Sequence, residues 1–212
     1  VLPRFEYPSN VYCWMRLASR GVSIRWIEPR DGRVMLDDLA NAIDSRTRLL
    51  SISAVQFSNG FRQDLAATSE LCRSRGVLLN LDAIQWVGAL KLDLSKFHVD
   101  FLSAGGHKWM LAPIGTGFFY CNANALDALT PPNVGYHTVA KNEAHLDYDL
   151  TAYRPGAARF EAEEAGGGPA ARVRCRRRAR APIGSFHDGA CRRRTADGEG
   201  DRRDRRYRRE DR

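Results

Sequence analysis

Val77-Leu78-Leu79-Asn80-Leu81-Asp82 and Val99-Asp100-Phe101-Leu102-Ser103-Ala104-Gly105-Gly106-His107-Lys108 decide the fold. Each is a short apolar run that ends in residues able to do chemistry. Runs of this length, rich in Leu, Val and Phe, read as strands buried on both faces. Working outward, Val22–Ile27 alternates and is β-branched or aromatic, which predicts a strand. Leu36, Leu39, Ala40 and Ile43 have helical spacing. Leu49 to Val55 predicts another strand. Asp64 is placed to cap a helix carrying Leu65, Leu71 and Cys72 that stops before Gly76. Gly117-Phe118-Phe119-Tyr120-Cys121 predicts a further strand. Strands alternating with helices of about ten residues predict βαβ units. The expected fold class is therefore α/β: three layers, a mostly parallel sheet with helices on both faces. Ligands in such sheets sit at the carboxyl ends of the strands.

Charge divides the chain unevenly. Its 212 residues carry 33 Lys+Arg and 25 Asp+Glu, a formal net charge of +8. From Glu163 to Arg212 there are 16 Arg against 9 acidic residues, so residues 1–162 hold 17 basic and 16 acidic side chains and are nearly neutral. No apolar run reaches the roughly 18–20 residues of a membrane span. The start, Val1-Leu2-Pro3-Arg4-Phe5, has no basic and apolar leader pattern. Five cysteines without a CxxC pair argue against a disulfide framework or a zinc site, and fit a reducing cytoplasm.

The division at 162 predicts two regions: a domain over 1–162 and a disordered Arg-rich tail over 163–212. The tail has no Leu, Met or Trp, and its large apolar side chains are Val173, Ile183, Phe186 and Tyr207. That little apolar surface does not offset an ordering entropy of roughly 1–2 kcal/mol per residue. Arg with Gly and Ala is also what GC-rich codons give when displaced by one base, so the tail reads as a frame-slipped sequence.

The candidate chemistry lies at strand ends. Asp82 closes the run from Val77 to Leu81, and Gln85 comes three residues later. Gly105 and Gly106 let backbone approach a ligand, and His107 and Lys108 emerge from that loop. An aspartate and a lysine at neighbouring strand ends suit pyridoxal phosphate: the amine forms an imine with the aldehyde, and the carboxylate keeps the ring nitrogen protonated. Each feature taken alone has an ordinary reading as a helix cap, a tight turn or a solvated lysine.

Together the words of the sequence say more. Leu79-Asn80-Leu81-Asp82-Ala83-Ile84-Gln85-Trp86-Val87-Gly88, then Val99 through Trp109, resembles the class V aminotransferase group of fold-type I pyridoxal phosphate enzymes. Ser51 through Gly60 and Tyr7-Pro8-Ser9-Asn10-Val11 are similar to the same group. The likeness runs to about Ala162, with isopenicillin N epimerase-like and cysteine desulfurase-like members nearest in wording. It implies that Lys108 bonds the cofactor and that Asp82 pairs with the pyridinium nitrogen. By the same likeness Gln85 approaches the phenolic oxygen, His107 contacts the phosphate and Asn59 lines the pocket. Gly105 stands where many relatives have a phosphate-binding Ser. The resemblance also implies that the family's phosphate-binding helix, ring-stacking residue and small domain fall outside these residues.

The function implied is an enzyme with an amino acid as substrate, a homodimer in the full-length protein and no membrane partner. Epimerase, lyase and desulfurase chemistry stay open. So does an inactive, truncated or frame-slipped product. A nucleic-acid-binding basic tail is disfavoured, because acidic residues interrupt its arginines and no aromatic series accompanies them.

Overall fold

Every second residue of three neighbouring strands is apolar and buried, and that alternation builds the molecule. A computed structural model describes residues 1–140 and 152–161. The main sheet holds β3 (Leu49–Ser53), β4 (Leu78–Asp82), β5 (Phe101–Gly105) and β6 (Gly117–Cys121), in that spatial order. The first three run parallel and β6 closes the edge antiparallel. A parallel pair, β1 (Leu2–Pro3) and β2 (Trp26–Ile27), lies beside it, and the Val1 amine and carbonyl bond to Leu49 O and Ser51 N across that junction. Among the described residues no helix is long and apolar enough to cross a membrane. The expected Arg-rich tail over 163–212, and its reading frame, lie outside the described residues.

One face of the sheet is the core. Leu50, Ile52, Leu79, Leu81, Leu102 and Ala104 pack there against Leu39, Ile43, Leu65 and Cys72. The last four come from α2 (Leu36–Ala42), the residue after it, and α3 (Leu65–Ser74). Leu39, Leu50, Leu79, Leu81 and Leu102 are fully buried, and each such side chain stabilises by roughly 1.5–3 kcal/mol. Helix α3 starts where expected: the Asp64 carboxylate accepts from Ala67 N at 3.0 Å. It ends at Gly76, whose φ of 64° closes the helix in the left-handed region.

Toward the carboxyl ends of the strands the other face is polar and carries a different helix, while farther back Phe101 of β5 is buried on it and stacks on Phe119 of β6. Ser51 and Ser53 of β3 lie in register with Asn80 and Asp82 of β4, and Asp82 with Ser103 of β5. Helix α1 (Ser9–Met15) covers the β3 end of this face. Its Trp14 indole donates to Ser51 Oγ at 3.1 Å, and Ser51 Oγ donates to Asn10 Oδ1 at 2.6 Å. The sequence pattern did not predict α1.

The expected strand over Val22–Ile27 is shorter than its alternation suggested. Only Trp26–Ile27 pairs, because its neighbour β1 offers two residues, and Val22 N instead bonds to Leu17 O. Asp82 also shifts slightly: it is the last residue of β4 rather than the residue after the strand.

Candidate active site

Asp82 and Lys108 come together at the carboxyl end of the sheet. Asp82 Oδ1 accepts from Ile84 N at 3.0 Å. Among the described residues, no hydrogen bond is made to its other oxygen. Burial pushes the Asp82 carboxyl above its ordinary value, while the Ile84 N–H and the Lys108 cation pull it back. Lys108 is half-buried, and its Nζ lies 5.4 Å from the centroid of the Tyr7 ring. Tyr7 in turn meets Phe57 edge to face at 5.3 Å between centroids. An ammonium facing an aromatic ring at this distance is attracted by the ring's negative face.

Gln85 joins the same cluster through the residue after the lysine. Trp109 Nε1 donates to Gln85 Oε1 at 2.9 Å, which leaves the amide NH2 of Gln85 as its donor end. His107 is exposed, with its ring against Gly105: a Cβ built on Gly105 would meet His107 Cε1 at 3.0 Å and Ile84 Cδ1 at 2.9 Å. The glycine therefore leaves room for the imidazole.

Asn59 is placed differently. It is exposed, its amide donates to Gly32 O at 2.6 Å, and its Oδ1 accepts from Phe61 N at 2.9 Å. Both ends of the side chain are engaged in fastening two loops. Among the described residues, no hydrogen bond joins it to Asp82 or Lys108.

Three residues near this cluster carry no motif that sequence reasoning could use to give them a role. Glu6 is 4% exposed and its carboxylate accepts four hydrogen bonds. Ser53 gives two of them, from its backbone N (2.7 Å) and its hydroxyl. The others come from Asn10 Nδ2 at 3.1 Å and Gln56 Nε2 at 3.4 Å. Glu6 thus ties Tyr7's segment to the end of β3, beside Asp82. Gln56 is buried in the same network, just past that strand. Tyr7 supplies the aromatic face next to Lys108. Little local marks Glu6 or Gln56, since three of the four bonds to the Glu6 carboxylate, the one from Gln56 included, span 47 to 50 residues of chain. Tyr7 does lie in a family-like stretch, Tyr7-Pro8-Ser9-Asn10, but that wording assigns it no task.

A parallel-stranded α/β sheet with Asp and Lys at adjoining strand ends is the arrangement in which comparison becomes informative. The Aminotransferase class-V family profile matches residues 1–164. The chain belongs to the class-V aminotransferase family. It is 34% identical over 140 residues to a probable cysteine desulfurase of Methanothermobacter thermautotrophicus, covering 66% of this chain and 35% of that protein. It is 33% identical over 165 residues to the isopenicillin N epimerase of Streptomyces clavuligerus, covering 74% and 42%. Among solved structures, a C-DES variant with glycine covalently linked to its pyridoxal phosphate cofactor superposes with a TM-score of 0.71 at 26% identity, covering 76% of this chain and 43% of that one. The apo cysteine desulfurase of Thermococcus onnurineus superposes with a TM-score of 0.66 at 28% identity, covering 76% and 40%. The class-V chain thus spans 30% to 42% of the length of these curated relatives and others like them. Pyridoxal phosphate is the cofactor of this family.

The residues present fit that cofactor. A half-buried carboxylate with an oxygen unmatched among the described residues, its charge disfavoured by burial, suits a cationic ring N–H. An amine beside an aromatic face suits an aldehyde on a flat ring.

Proposed function

We infer that this chain carries the cofactor-binding centre of a pyridoxal phosphate enzyme acting on an amino acid, with Lys108 as the residue that bonds the cofactor. The observation that carries the reading is the convergence of Asp82, Lys108 and Tyr7 at one end of one sheet face. When bound, the cofactor supplies an aldehyde for amines and a ring that accepts an electron pair.

The chain's own residues have distinct tasks in this reading. Asp82 holds a proton on the ring nitrogen, since an ionised carboxylate in a desolvated place favours a cation next to it. Lys108 would present Nζ as the amine that holds the cofactor and, as a free amine, would serve as a base that moves a proton at the substrate α-carbon. Tyr7 would offer an aromatic face beside the Lys108 amine. Gln85 offers its NH2 to the phenolic oxygen, its carbonyl end being anchored by Trp109. His107 offers a ring N–H to the phosphate. Asn59 is the weakest of the candidate set, because its amide is engaged with Gly32 and Phe61.

The similarity to both cysteine desulfurases and an epimerase supports an α-amino acid as the substrate class. We also propose a homodimer for the full-length protein. Trp109, Leu111 and Ile114, in the loop after Lys108, are 55%, 90% and 91% exposed, which is a surface suited to cover.

The test is spectroscopic. The chain mixed with pyridoxal phosphate should develop a visible absorbance band distinct from the free cofactor, and the Lys108→Ala chain should not. An identical band in both would overturn the assignment.

A further inference from the structure

The geometry points to Gly88 as the positioning residue that sets where Lys108 stands relative to Asp82. Gly88 lies in the loop that leaves β4 just after Asp82. Its φ is 94°, in the region that favours glycine. A Cβ built there would lie 2.5 Å from Trp109 O, 2.6 Å from the Trp109 carbonyl carbon and 2.9 Å from Met110 N. All three are backbone atoms, so no side chain can rotate out of the way. Trp109 is the residue directly after Lys108. The same two loops are joined a second time by the Trp109–Gln85 hydrogen bond.

One side of this seam is stiff. Trp86 N and Val87 N bond to Ala83 O, Ala89 N and Leu90 N bond to Trp86 O, and the Trp86 indole donates to Lys91 O at 3.1 Å. Trp86 itself is buried in the core. The other side is the more exposed. The lysine loop is held by Leu111 N to Lys108 O at 3.0 Å, Ala112 N to Gly106 O at 2.9 Å and Gly106 N to Thr116 O at 2.8 Å, with Thr116 N and Oγ1 both donating to Pro113 O, and none of these ties it to the core. Its side chains Trp109, Leu111 and Ile114 are largely exposed. An added methyl at Gly88 would therefore displace the Lys108 loop rather than the Asp82 loop. Lys108 would leave its place beside Tyr7.

Gly76 provides the matching control. Its φ of 64° imposes a similar backbone strain on alanine, yet a Cβ there meets nothing within 4 Å. It caps α3, away from the lysine loop.

The inference rests on Lys108 being the cofactor lysine, and the experiment keeps the two questions apart. The rate of reductive methylation of Lys108 is measured in the cofactor-free chain by peptide mass spectrometry, with Lys91 and Lys96 as internal references. The dissociation constant for pyridoxal phosphate is measured on the same proteins. In Gly88→Ala, Lys108 should label several-fold faster, and cofactor affinity should fall about tenfold or more, since misplacing a reacting group by about 1 Å has effects of this size. Borohydride should still fix cofactor on Lys108. Gly76→Ala should behave as wild type in both readouts. If Gly88→Ala does not fold, Trp109→Phe decides: it cuts the Gln85 bond, adds no atom, and should shift both readouts in the same direction by less. Wild-type labelling and affinity in a folded Gly88→Ala, or failing that in Trp109→Phe, would overturn the proposal. So would equal shifts in Gly76→Ala. Failure of the wild-type chain to fix cofactor on Lys108 would instead overturn the functional reading, and leave the labelling contrast to judge Gly88.

Discussion

The two faces of one sheet are built from adjacent residues and do opposite work. Leu81 and Asp82 are neighbours on β4. Leu81 is fully buried in the apolar cluster with Leu50, Leu79 and Leu102. Asp82 stands on the other face, in register with Ser53 and Ser103. The period of two that hides one set of side chains necessarily presents the other. At the carboxyl ends of these strands stability and chemistry are therefore largely separable by parity, and the face of a strand residue there predicts which property its substitution changes most.

The largest expected effect comes from the core face. Leu81→Ala should cost about 2–5 kcal/mol of unfolding free energy, read by denaturant titration. A loss below about 1 kcal/mol would mean that this face is not the packed one.

The next residue should behave in the opposite way. In the full-length enzyme Asp82→Asn should lower turnover by about 10²-fold or more, equivalent to roughly 2.7 kcal/mol at the transition state. In the cofactor-free chain the same change should stabilise slightly at neutral pH. The sign comes from linkage: burial raises the Asp82 value in the folded chain, so its ionised form is disfavoured by folding. That penalty is present above the folded-state value and disappears as the pH falls toward the ordinary carboxyl range. Thermal melts of both chains should therefore converge in acid. A destabilised Asp82→Asn chain at neutral pH would break the separation of the faces.

A smaller effect is expected where the polar face is structural. Glu6 accepts from four donors, and glutamine in its place turns one oxygen into a donor facing donors. Glu6→Gln should lower stability by about 1–3 kcal/mol and also weaken cofactor affinity, because Tyr7 is the next residue. Loss of stability with unchanged affinity would restrict Glu6 to a scaffold role.

The smallest perturbation is chemical. Burial, reinforced by Asp100, pushes the Cys72 thiol up to about 12, whereas Cys13 is exposed. Burial also raises the Cys13 thiol, but it is reachable, so iodoacetamide at alkaline pH should modify Cys13 before Cys72, which should react only on unfolding. Early labelling of Cys72 would show that the core face opens.

Much of this is legible in the sequence, for physical reasons. β3, β4, β5 and α3 announce themselves because parallel strands with a buried apolar set and a capped amphipathic helix leave strong local patterns, while β6, an antiparallel edge strand, shows through its aromatic run Phe118-Phe119-Tyr120. Asp82, Gln85, His107 and Lys108 are legible through their place at strand ends and through family wording. Helix α1 is not, because the face it turns to the sheet is polar: Asn10 and Trp14 bond to Ser51 instead of packing on leucines. Glu6 and Gln56 are hidden because the bonds of Glu6 to Ser53 and Gln56 cross 47 to 50 residues of chain. Alternation at Val22–Ile27 overstates β2, since it says nothing of how long a partner strand will be. Asn59 is legible as a motif residue, while its hydrogen bonds belong to the loops around it.

Locating the cofactor tests the central claim most directly. The chain should be incubated with pyridoxal phosphate, reduced with borohydride, digested and mapped by mass spectrometry. Four lysines compete: Lys91, Lys96, Lys108 and Lys141. The fixed cofactor should lie on the Lys108 peptide, and it should vanish in Lys108→Ala without moving elsewhere. Cofactor fixed on Lys91, Lys96 or Lys141 in place of Lys108, or fixation that persists in Lys108→Ala, would contradict the assignment of Lys108.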